Sequence, residues 1–207
     1  MNYHNITYPD MNNGDGLRVV LWLSGCSHHC YNCQNPQTWD ANSGIPFDES
    51  AKKELFRELD KDYISGLTLT GGDPLFESNL DGVLDLVTEI NKRYNFQKVD
   101  SANTCKMGVS EDENPDKIRL SCPNKSIWLY SGYRFDDEEC WVKPKNDIAN
   151  MFRFIRQEII KNVDVMVDGR YIDSQRDITL KWRGSDNQRV IDVQKSLQKG
   201  EIVLWTD

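Results

Sequence analysis

No stretch of this 207-residue chain carries the roughly 20 consecutive apolar residues that a membrane-spanning helix needs. The N-terminus, Met1-Asn2-Tyr3-His4-Asn5, has neither the basic nor the apolar segment of a secretory leader, which argues against export. No basic run stands out, and 33 acidic against 25 basic residues give a formal charge of -8. That balance argues against nucleic acid or an anionic membrane surface as the main partner. Internal repeats and low-complexity tracts are lacking too. Cysteine is scarce and uneven: of six, three crowd into eight positions and the others are scattered. Such a layout suits a metal site in a reducing cytoplasm better than a disulfide scaffold. What is present, 38% hydrophobic residues with six Trp, suffices for an ordinary core built without staples.

Along the chain, strand and helix patterns alternate. A turn-rich lead-in, Asn12-Asn13-Gly14-Asp15-Gly16, precedes Arg18 to Leu23, a short apolar strand of the kind a parallel sheet buries on both faces. The cysteine loop follows at once, and then a polar, loop-like stretch over 34–47. Asp48 is positioned to cap a helix that repeats Ala51, Leu55 and Leu59 every four residues and ends near Tyr63. Residues 67–70 alternate as a strand and end in Gly71-Gly72-Asp73-Pro74. A second helix fits Leu80, Val83, Leu84, Val87 and Ile90, with Ser78 or Asn79 as its cap. The span 97–123 is polar, holds Cys105 and Cys122, and has no sustained period, which predicts a surface insertion in an otherwise single domain over 1–207. A strand at 127–130 ends at Ser131-Gly132-Tyr133, and a third helix aligns Ile148, Phe152, Ile155 and Ile159. A strand at 163–167 ends at Asp168-Gly169-Arg170, and a last short strand is expected at 202–205.

This alternation predicts an α/β fold with a mainly parallel sheet. In such folds ligands gather outside the C-terminal ends of the strands. Four segments directly follow strands: Cys26 to Cys33, Gly71 to Pro74, Ser131 to Tyr133 and Asp168 to Arg170. They are expected to meet on one rim. About five βα units are too few for a closed eight-stranded barrel, so an open, partial (βα) barrel is predicted.

The triplet Cys26, Cys30 and Cys33 has C-x3-C-x2-C spacing. Thiolates are soft ligands that favour zinc or iron–sulfur iron. A structural zinc site takes four ligands, usually as two separated pairs. Three cysteines together would need His28 or His29 to complete it. Three thiolates on a four-iron cubane instead leave one iron free for a ligand. Spacing alone leaves both readings open.

The same spacing is the signature of the radical S-adenosylmethionine (SAM) enzymes, and Gly71-Gly72-Asp73-Pro74 looks like their Gly-Gly-Glu-Pro segment. More narrowly, the chain resembles the activating enzymes of anaerobic (class III) ribonucleoside-triphosphate reductases. The likeness rests on Asn13-Gly14-x-Gly16, Ser24-Gly25-Cys26, Thr38-Trp39, the run from Leu67 through Gly71-Gly72-Asp73-Pro74-Leu75, Ile127-Trp128-Leu129-Tyr130-Ser131-Gly132-Tyr133, Val167-Asp168-Gly169-Arg170, and Trp182-Arg183-Gly184-Ser185-Asp186-Asn187-Gln188. It implies that Cys26, Cys30 and Cys33 ligate a [4Fe–4S] cluster whose fourth iron chelates SAM. Reductive cleavage of SAM would then give a 5′-deoxyadenosyl radical that takes a hydrogen from a glycine of the reductase large subunit. It further implies an electron donor such as a flavodoxin-type reductant. Gly71, Gly72 and Asp73 would lie along the methionine end, with Gly72 bonding the SAM amino group and Asp73 facing its ammonium. Asn32 and Gln34, flanking Cys33, would reach SAM by side chain or backbone. Here the chain departs from its likeness, which has Gly and then Tyr around that cysteine, while an aromatic stands at Tyr31. Tyr133 and Asp168 are expected on the rim, either shaping the pocket or holding structure. The polar stretch from Arg183 to Arg189 is expected to meet the reductase or to cap the sheet. The alternatives are a radical SAM activase of another, formate-lyase type glycyl-radical enzyme, and a non-catalytic zinc-stabilised binding module.

Overall fold

A computed structural model describes residues 1–95, 124–136 and 148–206, without the side chains of 148–150. The insertion expected at 97–123, with Cys105 and Cys122, lies outside the described residues. In chain order the elements are β1 (Asn2–Asp10), β2 (Arg18–Leu23), β3 (Ile45–Pro46), α1 (Glu49–Leu59), β4 (Gly66–Gly71), α2 (Leu80–Tyr94), β5 (Ser126–Ser131), α3 (Ile148–Lys161), β6 (Val165–Asp168), β7 (Arg189–Asp192) and α4 (Val193–Lys199). The strands form one seven-stranded sheet in the order β3-β1-β2-β4-β5-β6-β7. Its centre, β2, β4, β5 and β6, is parallel, as the βα alternation requires. Both edges are antiparallel: β1 with β3 on one side and β7 on the other.

The fold is therefore α/β with an open, mixed sheet, and the edges are what the sequence pattern did not disclose. β1 has only two buried residues, Tyr3 and Ile6, among nine, and it pairs with β2 through bulges, so no alternation marks it. β7 has only four residues. The strand expected at 202–205 amounts to one bridge, Leu204 with Ile191.

Alternation across the parallel strands separates two faces. Val19, Leu21, Leu23, Leu67, Leu69, Ile127, Leu129 and Met166 face a core closed by Leu55 and Leu59 of α1, Val83, Val87 and Ile90 of α2, Ile159 and Ile160 of α3, and Val193 of α4. The four described helices thus lie on one side. The other face carries rows in register. Val20, Thr68, Trp128 and Val165 form a lower row, and Trp22 with Thr70 and Tyr130 with Val167 lie in the row above it. No described helix covers this face; Trp182 and Trp205 from the C-terminal third pack there on Trp128, Val165 and Val167.

Below those rows Arg18 is fully buried. Its guanidinium donates to Thr68 Oγ1 at 2.7 Å, Ser126 Oγ at 3.0 Å and the carbonyls of Asp15, Leu67 and Ser126, and lies 5.3 Å over the Trp128 ring. Burial lowers its pKa to about 10, which leaves it a cation at neutral pH. Gly14 must be a glycine beside it. With φ +130°, a Cβ there would fall 2.7 Å from Arg18 Cδ and 2.9 Å from Trp128. At the helix starts, Asp48 accepts from the N–H groups of Ser50 and Ala51. Asn79 precedes α2 without capping it; its amide donates to the carbonyls of Ser24 and Asp73, tying together the loops after β2 and β4. No described helix is long and apolar enough to cross a membrane.

Candidate active site

The loops after β2, β4, β5 and β6 do meet on one rim, around a cavity of about 470 Å³. Cys26, Cys30 and Cys33 line one wall, and Gly71, Gly72 and Asp73 line the next. Its floor is the upper inner row of the sheet, Trp22, Thr70 and Tyr130.

The cysteine loop is pinned at its start, where Gly25 N–H donates to Thr38 O at 2.7 Å and Cys26 N–H to Trp39 O at 3.0 Å. It then turns tightly, with His29 at φ 46° and Asn32 at φ 53°. All three thiols are half-buried. Burial pushes the Cys26 thiol up to about 11, with Asp73 adding to the shift, and burial raises Cys30 as well. Backbone N–H groups oppose this: those of His28 and His29 at Cys26, and that of Tyr171 at Cys30. Asn35 N–H donates to Cys33 Sγ at 3.4 Å.

Such a set suits thiolates held by a cationic centre, with N–H donors already facing the sulfurs. Among the described residues, no three His, Cys, Asp or Glu side chains close on a single-ion position. A cluster, which spreads its cysteines over separate irons, fits better than one zinc ion. The two histidines are turned elsewhere. His28 Nε2 donates to Asp73 Oδ2 at 2.8 Å, and its ring packs edge-on against Tyr133 with centroids 4.7 Å apart. His29 lies against the Trp39 ring at 4.7 Å.

Asp73 is buried and its carboxylate joins three loops. It accepts from Leu75 N–H at 2.8 Å, Ser131 Oγ at 2.9 Å, Gly132 N–H at 2.9 Å and His28 Nε2. A carboxylate offers about four lone-pair sites, so these four donors fill it. Its charge faces the cavity, but its hydrogen bonds organise the rim. Gly72 N–H is taken by Leu23 O at 2.7 Å, and a Cβ on Gly72 would fall 2.5 Å from Gly25 O. The two loops touch there because neither has a side chain.

Gln34 lines the cavity, whereas Asn32 is exposed and its amide donates to Asp173 Oδ2 at 3.2 Å. Asp173 belongs to a strap, residues 169–188, that crosses the open face of the sheet. Gln188 fastens it: Oε1 accepts from the N–H groups of Gly184 and Ser185, and Nε2 donates to Gly169 O. Arg183 donates to the carbonyls of Asp186 and Gln188, which closes this polar stretch on itself. Tyr133 and Asp168 have structural partners: the Tyr133 hydroxyl accepts from Arg156, and Asp168 accepts from Phe135 N–H and the Arg189 guanidinium. Sequence reasoning missed the floor. Trp22 and Tyr130 are the last inward positions before the rim, one residue beyond the core positions Leu21 and Leu129, and that parity was the available signal.

A family described as a 4Fe-4S single cluster domain matches residues 12–108 and 115–191, which places the clustered thiols of this rim in an iron–sulfur cluster domain. Relatives named "Anaerobic ribonucleoside-triphosphate reductase-activating protein" occur in enterobacteria phage T4 (37% identical, over 92% of this chain and 93% of theirs), Vibrio cholerae serotype O1 (32%, over 91% and 96%) and Escherichia coli K12 (31%, over 92% and 97%). The chain belongs to this family of reductase-activating proteins.

Proposed function

We propose that this protein is a radical SAM activase that raises a glycyl radical on an anaerobic ribonucleoside-triphosphate reductase. The supporting observation is that Cys26, Cys30 and Cys33 share one cavity wall while Gly71, Gly72 and Asp73 form the adjoining one. A volume of about 470 Å³ is also within the range of small-molecule sites. Cys26, Cys30 and Cys33 hold a [4Fe–4S] cluster in this reading, and the Gly72 carbonyl is the acceptor offered to the SAM amino group. When bound, cluster and SAM supply reductive cleavage to a 5′-deoxyadenosyl radical able to take a hydrogen from a glycine Cα. The chain's own groups orient and exclude water. Asp73 fixes the rim, Gln34 lines the cofactor's surroundings, Asn32 ties the cysteine loop to the strap, and the strap shields the inner face. The sheet, with its helices on one side, is read as an open, partial (βα) barrel whose open side admits a protein loop. The setting is cytoplasmic, with a flavodoxin-type reductant as electron donor.

Anaerobic reconstitution with iron and sulfide tests this. The brown protein should cleave SAM once reduced and raise a glycyl-radical EPR signal in the partner reductase. A fully loaded, SAM-bound protein that raises no such signal sinks the proposal.

A further inference from the structure

The cysteine wall has an outer face, and Cys30 is where that wall meets the strap. Tyr171 brings its N–H to Cys30, its hydroxyl donates to Asp173 Oδ1 at 2.9 Å, and the Asn32 amide holds Asp173 Oδ2. Cys30 and Tyr171 line the cavity, but their chain neighbours Tyr31, Arg170 and Ile172 do not. Tyr31 is 78% exposed, Ile172 38%, and Arg170 and Arg176 are exposed too. The charge of Arg170 reaches Cys30 and that of Arg176 reaches the Tyr171 phenol, so both cations belong to this junction.

These cations are not used by the fold. Elsewhere Lys52 pairs with Glu89, Arg93 with Asp60, and Arg189 with Asp136 and Asp168. Among the described residues, the guanidinium groups of Arg170 and Arg176 have neither an ion pair nor a hydrogen bond. Asp173 stands between them in the chain, with both its oxygens engaged by neutral groups. From Arg170 to Arg189 five basic residues face three acidic ones, and Ser24 to Trp39 holds no Asp, Glu, Lys or Arg. In a chain of net charge -8, this junction is a cationic island with an aromatic and an aliphatic side chain on it. Such a surface attracts an acidic partner.

The functional reading above requires an electron at the triplet, while the cavity is kept for SAM and the glycine of the protein substrate. Electron transfer falls steeply with distance, so a donor must approach a cysteine without filling the cavity. The outer face at Cys30 meets both conditions. A small charged surface with an apolar contact also suits the brief association of redox partners. We propose that Tyr31, Arg170, Ile172 and Arg176 form the surface on which an acidic one-electron carrier protein docks against Cys30. The carrier gives up one electron to the site, and no bond forms or breaks between the two proteins. This rests on the reading of the triplet as a cluster site and names the face through which that site is reduced.

The test is calorimetric binding of oxidised flavodoxin to the anaerobically reconstituted protein, a measurement in which no electron moves. At about 0.05 M salt the Arg170→Glu, Arg176→Glu double variant should bind about tenfold more weakly than wild type, and at about 0.5 M salt the two should converge. Tyr31→Ala should weaken binding several-fold at both salts. Iron per chain should stay at the wild-type value throughout, since all three side chains are exposed. Bleaching of the cluster absorbance by reduced flavodoxin should slow in the variants, whereas photoreduced deazaflavin, too small to need a docking surface, should reduce every protein at one rate. Equal flavodoxin affinity in wild type and the double variant overturns the inference, and a raised KM for the reductase in that case assigns the surface to the protein substrate. Equal slowing with both reductants also overturns it, because an altered cluster site would give that and a lost docking contact would not. Wild type that takes up no cluster on reconstitution would instead remove the functional reading on which the inference stands.

Discussion

His28 Nε2 and Asp73 Oδ2 lie 2.8 Å apart, both side chains almost wholly buried, and their hydrogen bond joins the cysteine loop to the rim after β4. The link continues outward. His28 packs on Tyr133, the Tyr133 hydroxyl accepts from Arg156 of α3, and Arg156 Nε donates to Leu75 O at 2.9 Å. A loop of cluster-ligand spacing is thereby anchored to a helix on the far side of the sheet. Small displacements of Asp73 must then be felt at Cys26 and Cys30.

Cutting this link should loosen the cysteine loop without removing a thiol. His28→Ala deletes one donor to a buried carboxylate and is expected to cost about 1–3 kcal/mol in urea unfolding. Iron in the reconstituted protein should pass to a chelator several times faster than in wild type. Gly132→Ala should do the same while leaving His28 in the sequence, because its Cβ would fall 2.2 Å from His28 Cδ2. Two changes acting through one contact are not additive, so the double variant should be hardly worse than either single one. Fully additive losses would mean that Gly132 matters for some other reason.

Arg18 supports the floor from beneath, and four of its five hydrogen bonds bridge β2 to β4 and β5. Arg18→Met should fill much of the volume but leave the Leu67 and Ser126 carbonyls without this donor, at about 2–4 kcal/mol. Arg18→Lys keeps the charge with only three donors on one nitrogen and should fall between. Denaturant midpoints of the three proteins check the order. A Lys variant as stable as wild type would show that charge, not the guanidinium's reach, is what the site needs.

Local pattern and distant contact explain what could be read beforehand. The strand Arg18–Leu23 and the Asp48 cap follow from neighbours in sequence, and both were legible. The meeting of four loops followed from strand direction alone. β1 was hidden because only Tyr3 and Ile6 of its nine residues are buried and bulges interrupt its pairing with β2. Asp73 was expected to face a ligand ammonium; its ties to Ser131 and Gly132, 58 and 59 positions away, depend on the register of β4 with β5. Asn79 was one of two expected caps, and its amide serves the rim instead. No local rule separates those uses of one side chain.

The donor set makes a sharp prediction for the triplet. Among the described residues, Cys26, Cys30 and Cys33 are the cysteines at the cavity, and each sulfur has a backbone N–H facing it. Cys30→Ala should therefore abolish the [4Fe–4S] absorption after anaerobic reconstitution, since two thiolates at this wall cannot hold three irons. A full cluster spectrum in that variant would mean that Cys105, Cys122 or Cys140 supplies a ligand.

Gln188 offers the last test, because one amide holds both ends of the strap. Gln188→Ala removes an acceptor from the Gly184 and Ser185 N–H groups and a donor from Gly169 O, so the strap over Trp128 and the cavity should open more often. The strap contains Ile178, 85% exposed, and a nonspecific protease should nick near it several times faster in the variant. Gln188→Glu keeps both acceptor contacts and loses only the donation to Gly169 O, so it should be cleaved at an intermediate rate. Asn32 meets the strap at Asp173, and Tyr171 offers its N–H to Cys30, so an open strap also withdraws a donor from the cysteine wall. Iron release to a chelator should therefore rise in the same order as cleavage, wild type below Glu below Ala. Cleavage that rises while iron release stays at the wild-type rate would separate the strap from the cysteine loop and leave it a cover for the sheet alone.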